Sequence, residues 1–189
     1  MNIGLFSGSF NPIHKGHIAL AEYIRNHANI DEVWFVVTPR NPLKEDHQLI
    51  DERHRLNMVQ LAIKGRDGLK VSDVEMNMPK PSYTVNTFKK LSACYPEHRF
   101  YLIIGTDNML SFHLWKDYQY ILEHYPILVY PRGKSDVPVT YPSMQLIHAP
   151  LYPISSTQIR EMIKHHEDIS EWVTPEVMDY IQQMQLYTD

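Results

Sequence analysis

Short apolar runs, separated by segments with helical periodicity, constrain this chain more than any other feature. The runs at residues 3–6, 33–37 and 100–104 are apolar throughout and consist, apart from Gly4, of residues with aliphatic or aromatic side chains. Continuous hydrophobicity is typical of strands that are covered on both faces. Strands that alternate with helices from end to end predict βαβ units. We therefore expect an α/β fold in a single domain over residues 1–189, with a doubly wound, Rossmann-like, mainly parallel sheet and helices on both faces.

The composition limits the kinds of molecule that the protein is expected to bind. The 189 residues are 43% hydrophobic and 21% charged, with a net charge of −4, which is ordinary for a globular domain. This charge provides no general basic surface for nucleic acid and no polybasic segment for membranes. No apolar run approaches the roughly 20 residues of a membrane span, and the single cysteine, Cys94, excludes an intramolecular disulfide. We expect a cytoplasmic protein with small-molecule substrates; the oligomeric state, a homo-oligomer included, stays open.

The first apolar run leads into a loop that is typical of a ligand site. Residues 3–17 pass from a strand through small residues and turn formers to a helix that begins at about Gly16. Gly8 allows close approach to the backbone, and free amides at a helix start favour phosphate. His14 and His17, three positions apart, project from one face of that helix. An ordinary α/β strand-turn-helix and a metal site are the alternatives, although no cysteine pair or HExxH pattern accompanies the histidines.

Two later stretches carry polar residues to the same edge of the predicted sheet. GTDN at 105–108 follows a buried strand, and ISSTQIR at 154–160 begins a helix that Ser155 or Ser156 caps. Three consecutive hydroxyl residues followed by Arg160 exceed the needs of a cap and suit a polyphosphate. Because ligands bind at the carboxyl ends of parallel strands, the three stretches are expected in one crevice.

Three further residues have both a functional and a structural interpretation. Lys44 lies in the 38–50 loop and either reaches a phosphate or is a solvated surface lysine. Thr84 or Ser82 can cap a helix that runs to about Cys94, which is a sufficient reason for a hydroxyl there. Trp115 is either buried packing or a flat platform for a heteroaromatic ring.

These motifs together resemble a known family. GSFNPIHKGH, with its HxGH core of His14, Gly16 and His17, and ISSTQIR resemble the nucleotidylyltransferase superfamily. Within it, PSYTVNT, IIGTDN, Trp115 and ISSTQIR follow the order and spacing of the bacterial nicotinate mononucleotide adenylyltransferase family over nearly the full length. The resemblance implies transfer of AMP from ATP to nicotinate mononucleotide, giving deamido-NAD and pyrophosphate in NAD biosynthesis. A sister transferase for nicotinamide mononucleotide or phosphopantetheine, and a non-catalytic nucleotide-binding module, are the alternatives.

The same resemblance implies roles for individual residues. His14 and His17 are the expected catalytic residues, which bind the ATP phosphates. The expected ATP-binding residues are Gly8, Ser9, Phe10, His14, Gly16, His17, Gly105, Asp107, Ser155, Ser156, Thr157 and Arg160. The expected acceptor-binding residues are Lys44, Tyr83, Thr84, Trp115 and Arg132. Mg²⁺ is expected on ATP phosphates and water, with no protein ligand. Two loops depart from the family: its PPHK is NPLK here, with Leu43 before Lys44, and its RPG is PRG, which displaces Arg132 by one position.

Overall fold

A parallel sheet lies at the centre of the fold. A computed structural model describes residues 1–40, 48–133 and 137–189 of the chain. Over these residues the strands are β1 (Asn2–Gly8), β2 (Glu32–Val37), β3 (Leu69–Ser72), β4 (Arg99–Gly105), β5 (Ile127–Tyr130) and β6 (Met144–Leu146). They pair in the order β3-β2-β1-β4-β5-β6, and every pairing is parallel.

Helices connect the strands and cover both faces of the sheet. They are α1 (Lys15–His27), α2 (Glu52–Ile63), α3 (Thr84–Cys94), α4 (Thr106–Leu110), α5 (Tyr118–His124), α6 (Ser156–Lys164) and α7 (Pro175–Gln183). Short 3-10 turns lie at Val74–Asn77 and Phe112–Leu114. Within the described ranges no helix is long and apolar enough to cross a bilayer.

Strand β2 shows why the sheet is covered on both faces. Its side chains alternate between the two hydrophobic cores: Val33 and Phe35 pack with residues of α1, α2, α6 and α7, whereas Trp34 and Val36 pack with residues of α3 and α5. A strand that is apolar on both sides cannot leave either face in water. The predicted doubly wound, Rossmann-like sheet is confirmed.

The strand order places a crevice above the middle of the sheet. β1 pairs with β2 on one side and with β4 on the other, so the order reverses between β1 and β4. The connections on the two sides of this point leave in opposite directions, which opens a crevice at the carboxyl ends of the strands. Gly8 ends β1 and Gly105 ends β4, so the first loop and the GTDN stretch meet at this edge, as predicted.

Several local predictions were wrong. No helix was predicted at α4 or α5, because these short helices lack a long periodic pattern. Helix α3 has Tyr83 as its N-cap and no side-chain cap, because the Ser82 hydroxyl donates to Glu75 instead.

A buried guanidinium joins the loops at the sheet edge. Arg55, on α2, is 1% exposed and donates to four backbone carbonyls. Its Nη1 donates to Ser9 and Thr38 at 2.7 Å each, its Nη2 to Pro39 at 3.0 Å and its Nε to Ile50 at 3.0 Å. These carbonyls belong to the loop after β1, the end of β2 and the segment before α2. Arg55 therefore satisfies backbone groups that would otherwise be buried without donors.

Replacing Arg55 is expected to destabilise the fold strongly. Arg55→Met keeps much of the side-chain volume but leaves the carbonyls of Ser9, Thr38, Pro39 and Ile50 without this donor, so we expect a loss of about 3 kcal/mol in the free energy of unfolding. Urea unfolding followed by circular dichroism measures it. Arg53→Met, at an exposed position of the same helix, is the matched control. Equal stabilities of the two variants would contradict the role of Arg55.

Candidate active site

A cavity of about 910 Å³ opens at the carboxyl edge of the sheet. Its wall combines the loop after β1, the start of α3, the segment around Trp115 and the start of α6. The predicted site residues in this wall are Gly8, Ser9, Phe10, His14, Gly16, His17, Tyr83, Thr84, Trp115, Arg132, Ser155, Ser156, Thr157 and Arg160. The three stretches that were expected in one crevice therefore meet there.

The two histidines cap helix α1 reciprocally. His14 is the N-cap, and its Nδ1 accepts from the amides of Gly16 at 3.0 Å and His17 at 3.4 Å. The Nδ1 of His17 accepts in return from the His14 amide at 3.1 Å. The rings stack with centroids 3.7 Å apart and an interplanar angle of 25°. This is a capping box built from imidazoles instead of a hydroxyl and a carboxamide.

This cap fixes the tautomer of both rings. A ring nitrogen that accepts from an amide carries no proton, so each neutral imidazole carries its proton on Nε2. Both residues line the cavity. The pair therefore provides two N–H donors for an anionic ligand.

The environment of the pair keeps it neutral. Burial, together with the positive charge of Arg132, lowers the pKa of His14 from 6.5 to about 4. Burial also lowers the pKa of His17 well below its ordinary value, as do His14 and Arg132. At neutral pH the two histidines act as hydrogen-bond donors without a positive charge.

The first amides of α1 are not available to a phosphate, contrary to the sequence-based expectation. The Lys15 amide donates to the Trp172 carbonyl at 2.8 Å, and the amides of Gly16 and His17 donate to His14. The predicted ligand contact of this loop therefore shifts from backbone amides to imidazole Nε2 groups.

Close packing explains two further residues of the loop. A Cβ on Gly16 would lie 2.8 Å from atoms of the His14 ring, so a larger residue would displace that ring. Phe10 is buried with φ at +46°, in the left-handed region, and its ring packs edge-on against His17 at 5.1 Å. A non-glycine residue holds this conformation only where the surroundings enforce it. The Phe10 ring thus packs against the His17 ring and helps to hold it in position.

The start of α6 faces the first loop. Ser155 forms a capping box with Gln158, which confirms the prediction that Ser155 or Ser156 caps the helix. The Ser156 hydroxyl donates to the Pro12 carbonyl at 2.8 Å. Arg160 is 8% exposed, and its Nη1 donates to the Asn11 carbonyl at 2.9 Å. Arg160 therefore holds the first loop while it lines the cavity.

The wall formed by α3 is different. The N-cap Tyr83 offers no side-chain cap, and within the described residues the amides of Thr84 and Val85 have no acceptor. Trp115 is half-buried against Phe112, with ring centroids 5.0 Å apart, and its buried Nε1 has no partner in the described part of the chain. Both interpretations of Trp115 apply, because its ring packs against Phe112 and also lines the cavity.

The remaining predicted residues lie beside the cavity or outside the described chain. Ile104 and Asn108 form the cavity wall at the end of β4, while Asp107 lies next to it, with Oδ2 3.8 Å from the Arg132 Nε. A Cβ on Gly105 would come within 2.6 Å of the Asp107 carboxylate, so a larger residue there would displace the Asp107 side chain. Lys44 falls outside the described residues.

Residues of the cavity wall that sequence analysis missed include Glu75, Ser82 and Lys116. The Lys116 Nζ lies 4.6 Å from the ring centroid of Tyr83, which places a cation beside the start of α3. Glu75 lies in a short 3-10 turn and is 3% exposed. Nothing in its local sequence distinguishes Glu75 from a surface carboxylate, whereas the position of Lys116 next to Trp115 was a usable signal.

The donor set does not form a protein metal centre. Over the described ranges, no three His, Cys, Asp or Glu side chains are grouped as a bound ion would require. Neutral imidazoles that donate through Nε2 are suited to anions and not to Mg²⁺, which prefers oxygen ligands.

The fold and the site together define the class of protein. A cavity at the switch point of a Rossmann-like sheet, with paired imidazole donors facing two helix starts, is the arrangement of a nucleotide-binding α/β enzyme.

Comparisons with known proteins identify the family. The model of the cytidylyltransferase-like family matches residues 5–162. The chain is 44% identical to a Flavobacterium johnsoniae protein over 99% of both chains, and 46% identical to a Bacteroides fragilis protein over 92% of this chain and 88% of the other. Both relatives are named "Probable nicotinate-nucleotide adenylyltransferase". The chain belongs to the cytidylyltransferase-like family and, within it, to the nicotinate-nucleotide adenylyltransferases.

A solved structure has the same fold. Plasmodium falciparum nicotinic acid mononucleotide adenylyltransferase, complexed with NaAD, superimposes with a TM-score of 0.83 and 24% identity over 98% of this chain and 97% of the other. The likeness extends over the whole sheet and its helices.

The low pKa of His14 predicts a loss of stability on mild acidification. Between pH 7 and 5 the unfolded chain, with an ordinary histidine pKa near 6.5, takes up a proton that folded His14, with a pKa of about 4, does not. The stability due to neutral His14 is therefore complete above about pH 6.5 and is lost as the pH falls toward 4. We expect a loss of about 2 kcal/mol between pH 7 and 5.

Urea unfolding at the two pH values measures this loss. His14→Asn, which keeps a capping acceptor and does not titrate, should remove the loss of about 2 kcal/mol that is due to His14, while the loss due to the low pKa of His17 remains. His165→Asn, at an exposed histidine beyond α6, should leave it unchanged. The same pH dependence in His14→Asn and the unmodified protein would contradict the assignment.

Proposed function

We propose that this protein transfers AMP from ATP to nicotinate mononucleotide, giving deamido-NAD and pyrophosphate in NAD biosynthesis. The observation that carries the proposal is the pairing, within one cavity, of the imidazole donors of His14 and His17 with the uncapped start of α3 beside Trp115. The first group suits a triphosphate and the second suits a planar ring that bears a carboxylate. The names of the relatives support the same reaction.

The reaction requires correct positioning of the two substrates more than a covalent intermediate with the protein. A phosphate oxygen of the mononucleotide attacks the α-phosphorus of ATP; a new P–O bond forms there, and the bond to the departing pyrophosphate breaks. Charge spreads over the oxygens of the transferring group, so aligned donors and in-line placement supply the rate enhancement. The Nε2–H groups of His14 and His17 are the donors to these phosphate oxygens.

Positive charge in the site comes from the substrate and from the cavity rim. Mg²⁺ enters as part of the MgATP substrate, held by phosphate and water, because the histidine pair offers it no ligand. Arg132 lines the cavity with a half-exposed side chain and lies close enough to influence both histidines. It is placed to interact with the charge of the phosphates. Ser155, Ser156, Thr157 and Arg160 form the adjoining wall on the ATP side, with the amides of Ser156 and Thr157 facing no acceptor in the described chain.

The acceptor side explains a preference for acid over amide. A carboxylate gains from the Thr84 and Val85 amides at the start of α3 and from the nearby cation of Lys116. A carboxamide carries no charge and gains less from the same donors. Trp115 provides the ring face against which a pyridine can stack.

The proposal takes residues 1–189 as one catalytic domain, because helices from α1 to α7 pack on a single sheet. We further infer that the enzyme works in the cytoplasm, where ATP is available and the exposed thiol of Cys94 stays reduced.

Acceptor choice tests the reaction. Purified protein is given MgATP with nicotinate mononucleotide, nicotinamide mononucleotide or phosphopantetheine in turn; pyrophosphate release is measured, and the products are identified by mass. We expect clear preference for nicotinate mononucleotide. Turnover of another acceptor alone would keep the transferase chemistry and reject the acceptor assignment, while ATP binding without turnover of any acceptor would indicate a binding module.

The role of His17 is tested by two substitutions. His17→Ala removes both ring nitrogens, whereas His17→Asn keeps an acceptor for the His14 amide and loses the Nε2–H donor. We expect each to lower kcat by about a hundredfold or more, the usual cost of losing a transition-state donor. His27→Ala, at the opposite end of α1, is the control and should retain full turnover. Near-normal turnover by His17→Asn would exclude its Nε2 as the donor.

A further inference from the structure

Glu75 is a carboxylate buried behind the acceptor side of the cavity. It belongs to the 3-10 turn between β3 and α3 and is 3% exposed. A buried carboxylate is costly unless its oxygens accept hydrogen bonds. Among the described residues, two hydroxyl groups donate to it and a third hydroxyl residue lies close by.

Two of these hydroxyls lie on either side of the start of α3. The Thr87 Oγ1 donates to Glu75 Oε1 at 2.7 Å, and the Ser82 Oγ donates to Glu75 Oε2 at 3.1 Å. Both hydroxyl residues are buried. Tyr83 and Thr84, the residues assigned to the acceptor, lie between them. Glu75 therefore fixes the helix start from both flanks.

The same contacts leave the helix start open. Helices α1, α2, α6 and α7 each receive a side-chain cap, whereas α3 and the short helices α4 and α5 receive none. The hydroxyls of Ser82 and Thr87, which flank this helix start in sequence, are directed to Glu75. The amides of Thr84 and Val85 thus keep no acceptor within the described chain.

A third hydroxyl residue lies between Glu75 and the ATP side. The Thr38 side chain, at the end of β2, is close enough to Glu75 to lower its pKa. The Thr38 amide donates to the Gly8 carbonyl at 2.9 Å, in the loop that carries the histidine pair. Thr38 therefore lies between Glu75 and the histidine loop. Burial raises the pKa of Glu75, and the three hydroxyl groups oppose that rise.

We propose that Glu75 is a positioning residue of the acceptor subsite, which holds the start of α3 open and at a fixed distance from the histidine loop. The inference rests on the proposed function, because it assigns the Tyr83 and Thr84 helix start to the acceptor. Although Glu75 lines the cavity, its side chain is only 3% exposed, so we assign it a role through Ser82 and Thr87.

The test compares the kinetic constants for the two substrates in variants of Glu75. Glu75→Ala removes both acceptor oxygens, so we expect kcat/KM for nicotinate mononucleotide to fall about 10- to 100-fold while the KM for ATP stays within about twofold. Glu75→Gln keeps one acceptor oxygen and should give a smaller loss. Glu123→Gln, at an exposed position of α5, is the matched control and should match the unmodified enzyme.

Substitutions of Thr87 provide an independent test of the same role. Thr87→Val removes the hydroxyl at nearly constant shape and should reproduce the acceptor defect, while Thr87→Ser should restore activity. The double variant Glu75→Ala/Thr87→Val should be no worse than the more severe single variant. The hydrogen bond that Thr87→Val removes is already lost in Glu75→Ala. If Glu75→Ala does not fold, the Thr87 pair decides the question.

The outcomes separate the two proposals. Failure of the unmodified enzyme to use nicotinate mononucleotide would overturn the proposed function. Normal turnover by the unmodified enzyme, together with unchanged acceptor kinetics in Glu75→Ala and Thr87→Val, would overturn only the role of Glu75. Equal effects on both substrates, or tighter acceptor binding in Glu75→Gln, would also overturn that role.

Discussion

The reciprocal cap between His14 and His17 is the interaction on which the rest of the site depends. It satisfies the amides of Gly16 and His17 and the amide of His14 itself, and it fixes the proton of each ring on Nε2. Burial then keeps both rings neutral. One set of hydrogen bonds therefore determines where the helix begins, how the rings stack and which atoms face a ligand. The contacts of Gly16 and Phe10 follow from it, because both residues pack directly against the paired rings.

Buried polar side chains hold the loops around this pair. Arg55 donates hydrogen bonds to carbonyls of the loop after β1 and of the end of β2, and Arg160 donates to the Asn11 carbonyl. Glu75 has the opposite polarity: its carboxylate accepts hydrogen bonds from hydroxyl groups near the start of α3. Each of these charged groups is almost fully buried, so its geometry is constrained by the cost of leaving a polar atom unpaired. The loops at the sheet edge thereby gain an order that their backbone alone would not have.

Much of this architecture could be predicted locally. The apolar run at 33–37 predicted a strand covered on both faces, and the alternation of Trp34 and Phe35 between two cores is the reason. The three polar stretches were assigned correctly to one edge, because parallel strands direct their carboxyl ends the same way. The short helices α4 and α5 were missed, since they extend for only a few residues and carry no sustained period. The cap of α3 was assigned wrongly, because a hydroxyl near a helix start predicts a cap unless a buried acceptor competes for it.

The sequence by itself determined the class of fold, the order of the elements and the motif that places two histidines at a helix start. These properties depend on periodicity and on neighbours within a few residues, which a sequence displays directly. Only the tertiary structure decided how the polar groups are paired. It assigned the first amides of α1 to His14 and to Trp172, and it connected Glu75 to the hydroxyls of Ser82 and Thr87. Such pairings join residues that are far apart in the chain and depend on burial, so no local pattern reveals them.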